Sequence, residues 1–193
     1  MESIQINPLK TAFVAIDLQK GILGFPTLPH SPKEVVENAK KLADHLRSKG
    51  GFIVWVRVAM SKDGKDRLDI PCDSPMAMKS LPPDWAEISP DLSIQTSDHL
   101  VTKKQWGAFY GTDLELQLRR RGLDTIILSG IATCFGVEST ARNAYKLGFR
   151  QVFAQDAMSC MTKEGHEHAL TRVFPRMGHV RTTAEILSAI NPE

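Results

Sequence analysis

The feature that most constrains this chain is a repeated alternation of short, unbroken apolar runs with stretches of helical period. TAFVAID (11–17) is followed by a helical stretch over 32–49 and then by GFIVWVRV (51–58). After a long interruption the alternation resumes. HLVTK (99–103) precedes a helix over 112–121, DTIILSG (124–130) one over 136–147, and RQVFAQD (150–156) one over 163–174, before HVR (179–181) and a last helix over 183–190. Strands that are apolar at every position, rather than at every second one, suit burial on both faces. A helix between consecutive strands makes each connection a right-handed crossover. The chain is therefore predicted to be α/β, a doubly wound, Rossmann-like parallel sheet of about six strands with helices on both faces.

Local punctuation agrees with this reading. Ser31-Pro32 followed by Glu34 has the form of an N-cap with proline at the first helical position, and Gly50-Gly51 and Gly122 stand where a helix C-terminus favours glycine. Residues 60–97 differ: Pro71, Pro75, Pro82, Pro83 and Pro90 among scattered charges predict a long loop excursion with at most short helices, of the kind that often covers a site. With 193 residues, 42% of them hydrophobic, the chain is expected to fold as one domain over 1–193, needing neither disulfides nor a structural metal. A net charge of +2 spread along the chain points to no nucleic-acid or membrane surface. No run approaches the roughly 20 apolar residues that cross a bilayer, and MESIQINPLK lacks the pattern of a secretory signal. A cytoplasmic location is expected. Cys72, Cys134 and Cys160 make no CxxC pair and read as free thiols in a reducing compartment.

In a doubly wound sheet the ligand crevice lies beyond the carboxyl ends of the strands, near the switch in strand order. Asp17 closes the first strand, and buried backbone beside it would raise its pKa toward the range useful for proton transfer; the plainer reading is a turn cap. Lys103 closes HLVTK and brings a cation to the same edge. Desolvated beside a carboxylate it would hold that group's charge state; the competing reading is a solvated surface lysine. SGIATCFGVESTARNAYKLG passes from strand to helix through small residues, so backbone amides around Ala132 and Thr133 would be placed to hold an anion or oxyanion. Trp106, Phe109 and Tyr110 read equally as walls of an apolar pocket for a small planar or cyclic substrate and as packing against the core or a second subunit. Gln19, beside Asp17, and Phe25, in GILGFP, are further candidates for substrate contact. Asp156 and Arg142 are expected to be structural, as a turn cap and a salt-bridge partner. Of His30, His45, His99, His166, His168 and His179, only His166 and His168 are close in sequence. At i, i+2 they face different sides of a helix, so surface positions are expected.

The ordered combination is more specific than any part of it. A strand ending in IDLQ, then K-x-x-x-G-A-F-x-G-T-D-L, then G-I-x-T-x-x-G-V-E-S-T-A-R-x-A resembles the isochorismatase-like superfamily of cysteine hydrolases, from about residue 10 to residue 190. The resemblance implies an Asp, Lys and Cys triad in which the Asp activates a thiol that attacks an amide or related carbon. Asp17 and Lys103 match its first two members, and the family's cysteine falls on Gly136. Cys134 lies two residues earlier, and two helical steps rotate a side chain by about 200°. It reads either as a small packing residue or as a nucleophile activated by the helix start. Isochorismatases are similar in lacking the cysteine while keeping the Asp and the Lys. They imply vinyl-ether hydrolysis, with Asp17 protonating the enol-ether carbon, water capturing the oxocarbenium ion, Lys103 positioning charge and Gly136 leaving room. Nicotinamidases of the same fold carry a metal site on histidines after the second strand, where this chain reads RVAMSKDGKDRLDIPCD, so no catalytic metal and no cofactor are expected. Three functional readings stay open: a small-metabolite hydrolase working through Asp17 without a thiol, a cysteine amidohydrolase using Cys134, and a degenerate member that only binds a ligand or partner. Resemblance to this superfamily also implies a homo-oligomer, a dimer or larger.

Overall fold

In a computed structural model of the protein, which describes residues 4–74 and 81–190, six strands form one wholly parallel sheet. They are β1 (Thr11–Ile16), β2 (Phe52–Val58), β3 (His99–Lys103), β4 (Thr125–Ile131), β5 (Arg150–Ser159) and β6 (His179–Arg181), in the order β3-β2-β1-β4-β5-β6. The chain builds outward from β1 to β3, returns to the other side of β1 and builds outward again. That reversal opens a crevice at the carboxyl ends of β1 and β4.

Strand β1 shows why its run is apolar throughout. Phe13 and Ala15 pack with Val35, Leu42 and Leu46 of α2 (Pro32–Ser48) and Ile186 of α6 (Thr183–Ala189). Ala12, Val14 and Ile16 point the other way, toward Leu114 and Leu118 of α3 (Leu114–Arg120) and Ala141 and Ala144 of α4 (Glu138–Lys146). Each fully buried Val, Leu or Ile contributes about 2 kcal/mol, so both faces stabilise the sheet. Two capping boxes fix the helices of the first face: Ser31 with Glu34 at α2, and Thr182 with Glu185 at α6. Asp156 joins the second, its Oδ1 accepting from the Thr183 amide and hydroxyl at 2.7 and 2.8 Å.

Two predicted helices take other forms. The turn Thr133–Val137 is π-helical and α4 begins only at Glu138. The helix expected over 163–174 is α only as far as His168 (α5, Lys163–His168); a π turn, Ala169–Val173, and a 3-10 turn, Phe174–Arg176, complete it. Pro175, with no N–H to give, accounts for that ending. Gly130, with φ 118°, lies so close to β1 that a Cβ there would stand 2.1 Å from the Ile16 carbonyl oxygen, and only glycine fits.

The excursion, whose Pro75 falls outside the described residues, forms no strand among the residues that are described. Its second half is nevertheless tied down. Lys20 and Gly21, which begin the short helix α1 (Lys20–Leu23), donate to the carbonyls of Glu87 and Trp85, and the Ser89 amide donates to Leu18, all at 2.9–3.0 Å. No helix among the described residues is long and apolar enough to cross a membrane.

Candidate active site

Asp17 is the first residue beyond β1. Its φ of 53° is left-handed, a conformation that Asp tolerates better than most residues and that costs on the order of 1 kcal/mol. The bend turns its carboxylate into the crevice, where the residue is 6% exposed. Lys103 ends β3, two strands away, and is 2% exposed, so the solvated lysine of the competing reading is not what the fold contains. Its ammonium donates to Asp17 Oδ2 at 2.7 Å and to the Gln105 carbonyl at 3.1 Å. Asp17 Oδ1 is buried without a hydrogen-bond partner. Burial pushes the Asp17 carboxyl up to about 6, against the opposing charge and hydrogen bond of Lys103. Near neutrality the site therefore holds a carboxylate whose proton is within easy reach.

Gly136 completes this edge. A Cβ there would lie 2.9 Å from Ile16 Cγ2, 3.3 Å from Asp17 Oδ2 and 3.4 Å from the Trp106 carbonyl oxygen, so position 136 faces the Asp17 carboxylate at contact distance. The segment after β3 is fastened to the same turn by Thr140, whose hydroxyl donates to the Gly136 carbonyl at 2.7 Å and accepts from the Ala108 amide at 3.1 Å. Ahead of the turn the Ile131–Ala132 peptide is cis. The Phe135 and Val137 amides donate back to the Ala132 carbonyl at 3.1 and 3.2 Å, which turns them away from any oxyanion.

Several sequence candidates have other work. Gln19, expected at the substrate, is wholly buried and fully engaged: Nε2 donates to the carbonyls of Val58 and Trp85, and Oε1 accepts from the Val58 amide at 2.8 Å. It clamps the excursion to β2. Phe109 belongs to the core, stacked on Phe149 with ring centroids 5.9 Å apart. Thr133 is buried with its hydroxyl hydrogen-bonded to His166 Nδ1 at 2.9 Å. His166 itself corrects the expectation of a surface histidine. It lies in the interior of α5, its pKa lowered to about 4 by burial and by the neighbouring His30, and is neutral near pH 7. Arg142 pairs with Glu138 on the helix surface.

Trp106 remains at the rim, 54% exposed and edge-on to Phe135, with its carbonyl against Gly136. Ala132 underlies the same turn, whereas Phe25 and Tyr110 are exposed on the surface. Cys134 does not face Asp17; its thiol points to the far side of the turn, against Cys160 and Gly165. Among the described residues no three His, Cys, Asp or Glu side chains converge as a metal-holding group. A surface concavity lies between 60–69 and 81–85 in the excursion, and Asp17, Lys103 and Gly136 are not among its walls. Sequence reasoning missed the Gln105 carbonyl, Thr140 and His166. Thr140 is a named position of a recognised motif and Gln105 only an unspecified one, and nothing local marked His166.

Comparison with known proteins follows the same geometry. Residues 11–185 match the model of the isochorismatase domain. The chain is 52% identical over 192 residues to the "Uncharacterized isochorismatase family protein YwoC" of Bacillus subtilis, with 98% of this chain and 99% of that one covered. It is 49% identical to the protein YecD of Escherichia coli O157:H7, described in the same words, over 97% of this chain and 100% of that one. Among solved structures, an isochorismatase family protein from Burkholderia thailandensis superposes with a TM-score of 0.93 at 42% identity, covering 98% and 99% of the two chains.

Proposed function

The chain belongs to the isochorismatase family of hydrolases, and from that premise we propose that it hydrolyses a small metabolite by acid/base chemistry at Asp17, with Lys103 in support and no covalent thiol step. One observation carries the reading: the buried carboxylate has one oxygen on Lys103 and one without a partner, and the position facing it is a glycine.

For a vinyl ether the step balances without a cofactor. Protonated Asp17 gives its proton to the enol-ether carbon, leaving an oxocarbenium ion and an Asp17 carboxylate beside Lys103. Water adds to the cation and loses a proton to Asp17, and the hemiketal collapses to a carbonyl compound and an alcohol. Lys103 keeps the carboxylate stable between the two proton transfers, and its dry setting strengthens that interaction. Gly136 leaves space for substrate or water beside Asp17. Trp106 supplies an apolar rim for a cyclic substrate.

Relatives support both ether and amide substrates. At 27% identity stands a "Probable isochorismatase" of Pseudomonas chlororaphis, and at 28% a "Ureidoacrylate amidohydrolase RutB" of Agrobacterium fabrum. Within this chain the balance favours the route without a thiol, because the Cys134 sulfur is turned from Asp17. The test is a hydrolysis screen over isochorismate and small amides, with chelator present, comparing wild type with Asp17→Asn and Cys134→Ala. Turnover lost in Asp17→Asn and kept in Cys134→Ala is expected. Loss in Cys134→Ala would overturn the thiol-free route, and no turnover in wild type would favour a chain that only binds its ligand.

A further inference from the structure

Cys134 and Cys160 take no part in that chemistry, yet they are built against each other. Cys160 follows β5 and is 1% exposed; Cys134 is half-buried in the Thr133–Val137 turn and packs on the same core cluster. A Cβ at Gly165 of α5 would lie 3.2 Å from Cys134 Sγ and 3.5 Å from Cys160 Sγ, so both sulfurs crowd around the space a side chain there would fill. The Cys134 thiol hydrogen-bonds to Cys160, and the amides of Cys134, Thr162 and Met161 also donate to the Cys160 sulfur. A sulfur ringed by donors suits a negative charge. The Cys134 bond, with the three amides behind it, holds the Cys160 thiol below its ordinary range against the effect of burial. The same bond, with burial, pushes Cys134 up. The pair thus sets one sulfur, buried among donors, next to another within reach of solvent. Cys72, the third cysteine, is exposed and far along the chain in the excursion.

We propose that Cys134 and Cys160 form a redox-active dithiol that a hydroperoxide oxidises to a disulfide. A proton passes from Cys134 to the Cys160 thiolate, freeing the accessible sulfur. Cys134 Sγ attacks the peroxide: an S–O bond forms, the O–O bond breaks, and the departing alkoxide or hydroxide takes the proton back from Cys160. Cys160, again a thiolate, attacks the Cys134 sulfenic acid. The S–S bond forms and hydroxide leaves. Two electrons pass from the sulfurs to the hydroperoxide, which is reduced to an alcohol and water, and an external thiol reverses the change. The bridge would tie the turn that carries Gly136 to the end of β5.

The experiment treats the full chain with hydrogen peroxide and follows each cysteine by alkylation and peptide mapping. Expected are the loss of two hydrogens from the intact mass, a Cys134–Cys160 linked peptide, and recovery of both thiols with dithiothreitol. Cys134 and Cys160 should disappear together, at the rate at which the linked peptide appears, and this coupling should vanish in urea because it depends on the folded surroundings. In Cys160→Ser, where no second thiol is present to resolve it, the Cys134 sulfenic acid should accumulate and be trapped by dimedone. A linkage through Cys72, or unchanged alkylation of Cys134 and Cys160 in wild type, would each overturn the proposal. The wild-type map decides even if the buried substitution does not fold.

Discussion

The turn Thr133–Val137 has a different buried pair on each side. On one side Gly136 faces an Asp17–Lys103 ion pair; on the other Cys134 meets Cys160. In both, burial opposes the charge and a hydrogen bond restores it, but the outcomes differ. The carboxylate keeps an oxygen with no partner, so its surroundings leave it readily protonated, whereas the Cys160 sulfur is surrounded by donors that hold its thiol below the ordinary range. Two residues along one backbone turn are enough to separate a proton-transfer site from a thiol site. In the π-helical turn, as in a regular helix, that spacing sends neighbouring side chains to opposite sides.

The most severe way to break the contrast is Asp17→Asn, which should lower kcat/KM on the order of 10³-fold, as removal of a positioned general acid does. Steady-state kinetics on the substrate found by the screen would check it, and near-wild-type turnover would remove Asp17 from the chemistry. Lys103→Met comes next, with a loss on the order of 10²-fold. Since Lys103 opposes the upward shift of Asp17, its removal should also move the pH dependence upward, a displacement that a purely structural role would not produce.

In wild type the sign is set by which form of Asp17 acts. A general acid must be protonated, so kcat/KM should be flat below about 6 and fall by about tenfold per pH unit above it. A profile that rises through that range would make Asp17 a base from the outset. Gly136→Ala should be milder. The added methyl meets Ile16 Cγ2 at 2.9 Å, which predicts about 1–2 kcal/mol of lost stability by denaturant titration, since Ile16 is packed on both sides of the contact. Smallest of all, Cys134→Ala should leave hydrolysis within about twofold of wild type, because its sulfur lies on the other side of the turn.

Much of the fold was legible because its signals are local or periodic. Unbroken apolar strands, Ser31 with Glu34, and the glycines after helices each follow from neighbours within a few residues. That Asp17 and Lys103 stand at one edge of the sheet was also legible, since strand ends are predictable once the strands are. The placement of Gln19, and the choice between the two readings of Phe109, were not legible because proximity in sequence to a reactive residue says nothing about which way a side chain turns: one clamps Trp85 to β2, the other stacks on Phe149. His166 and Cys160 lay beyond sequence reasoning for a similar reason, as their partners, Thr133 and Cys134, sit 33 and 26 residues away.

Sequence by itself determined the order of strands and helices, the family, and the absence of a cysteine at position 136, because hydrophobic periodicity and motif spacing are properties of the chain alone. Only the tertiary structure decided that Asp17 is desolvated, that Lys103 is buried on it, and that Cys134 belongs with Cys160. Burial and charge are set by what folds against a residue from elsewhere, and no stretch of sequence carries its own dielectric.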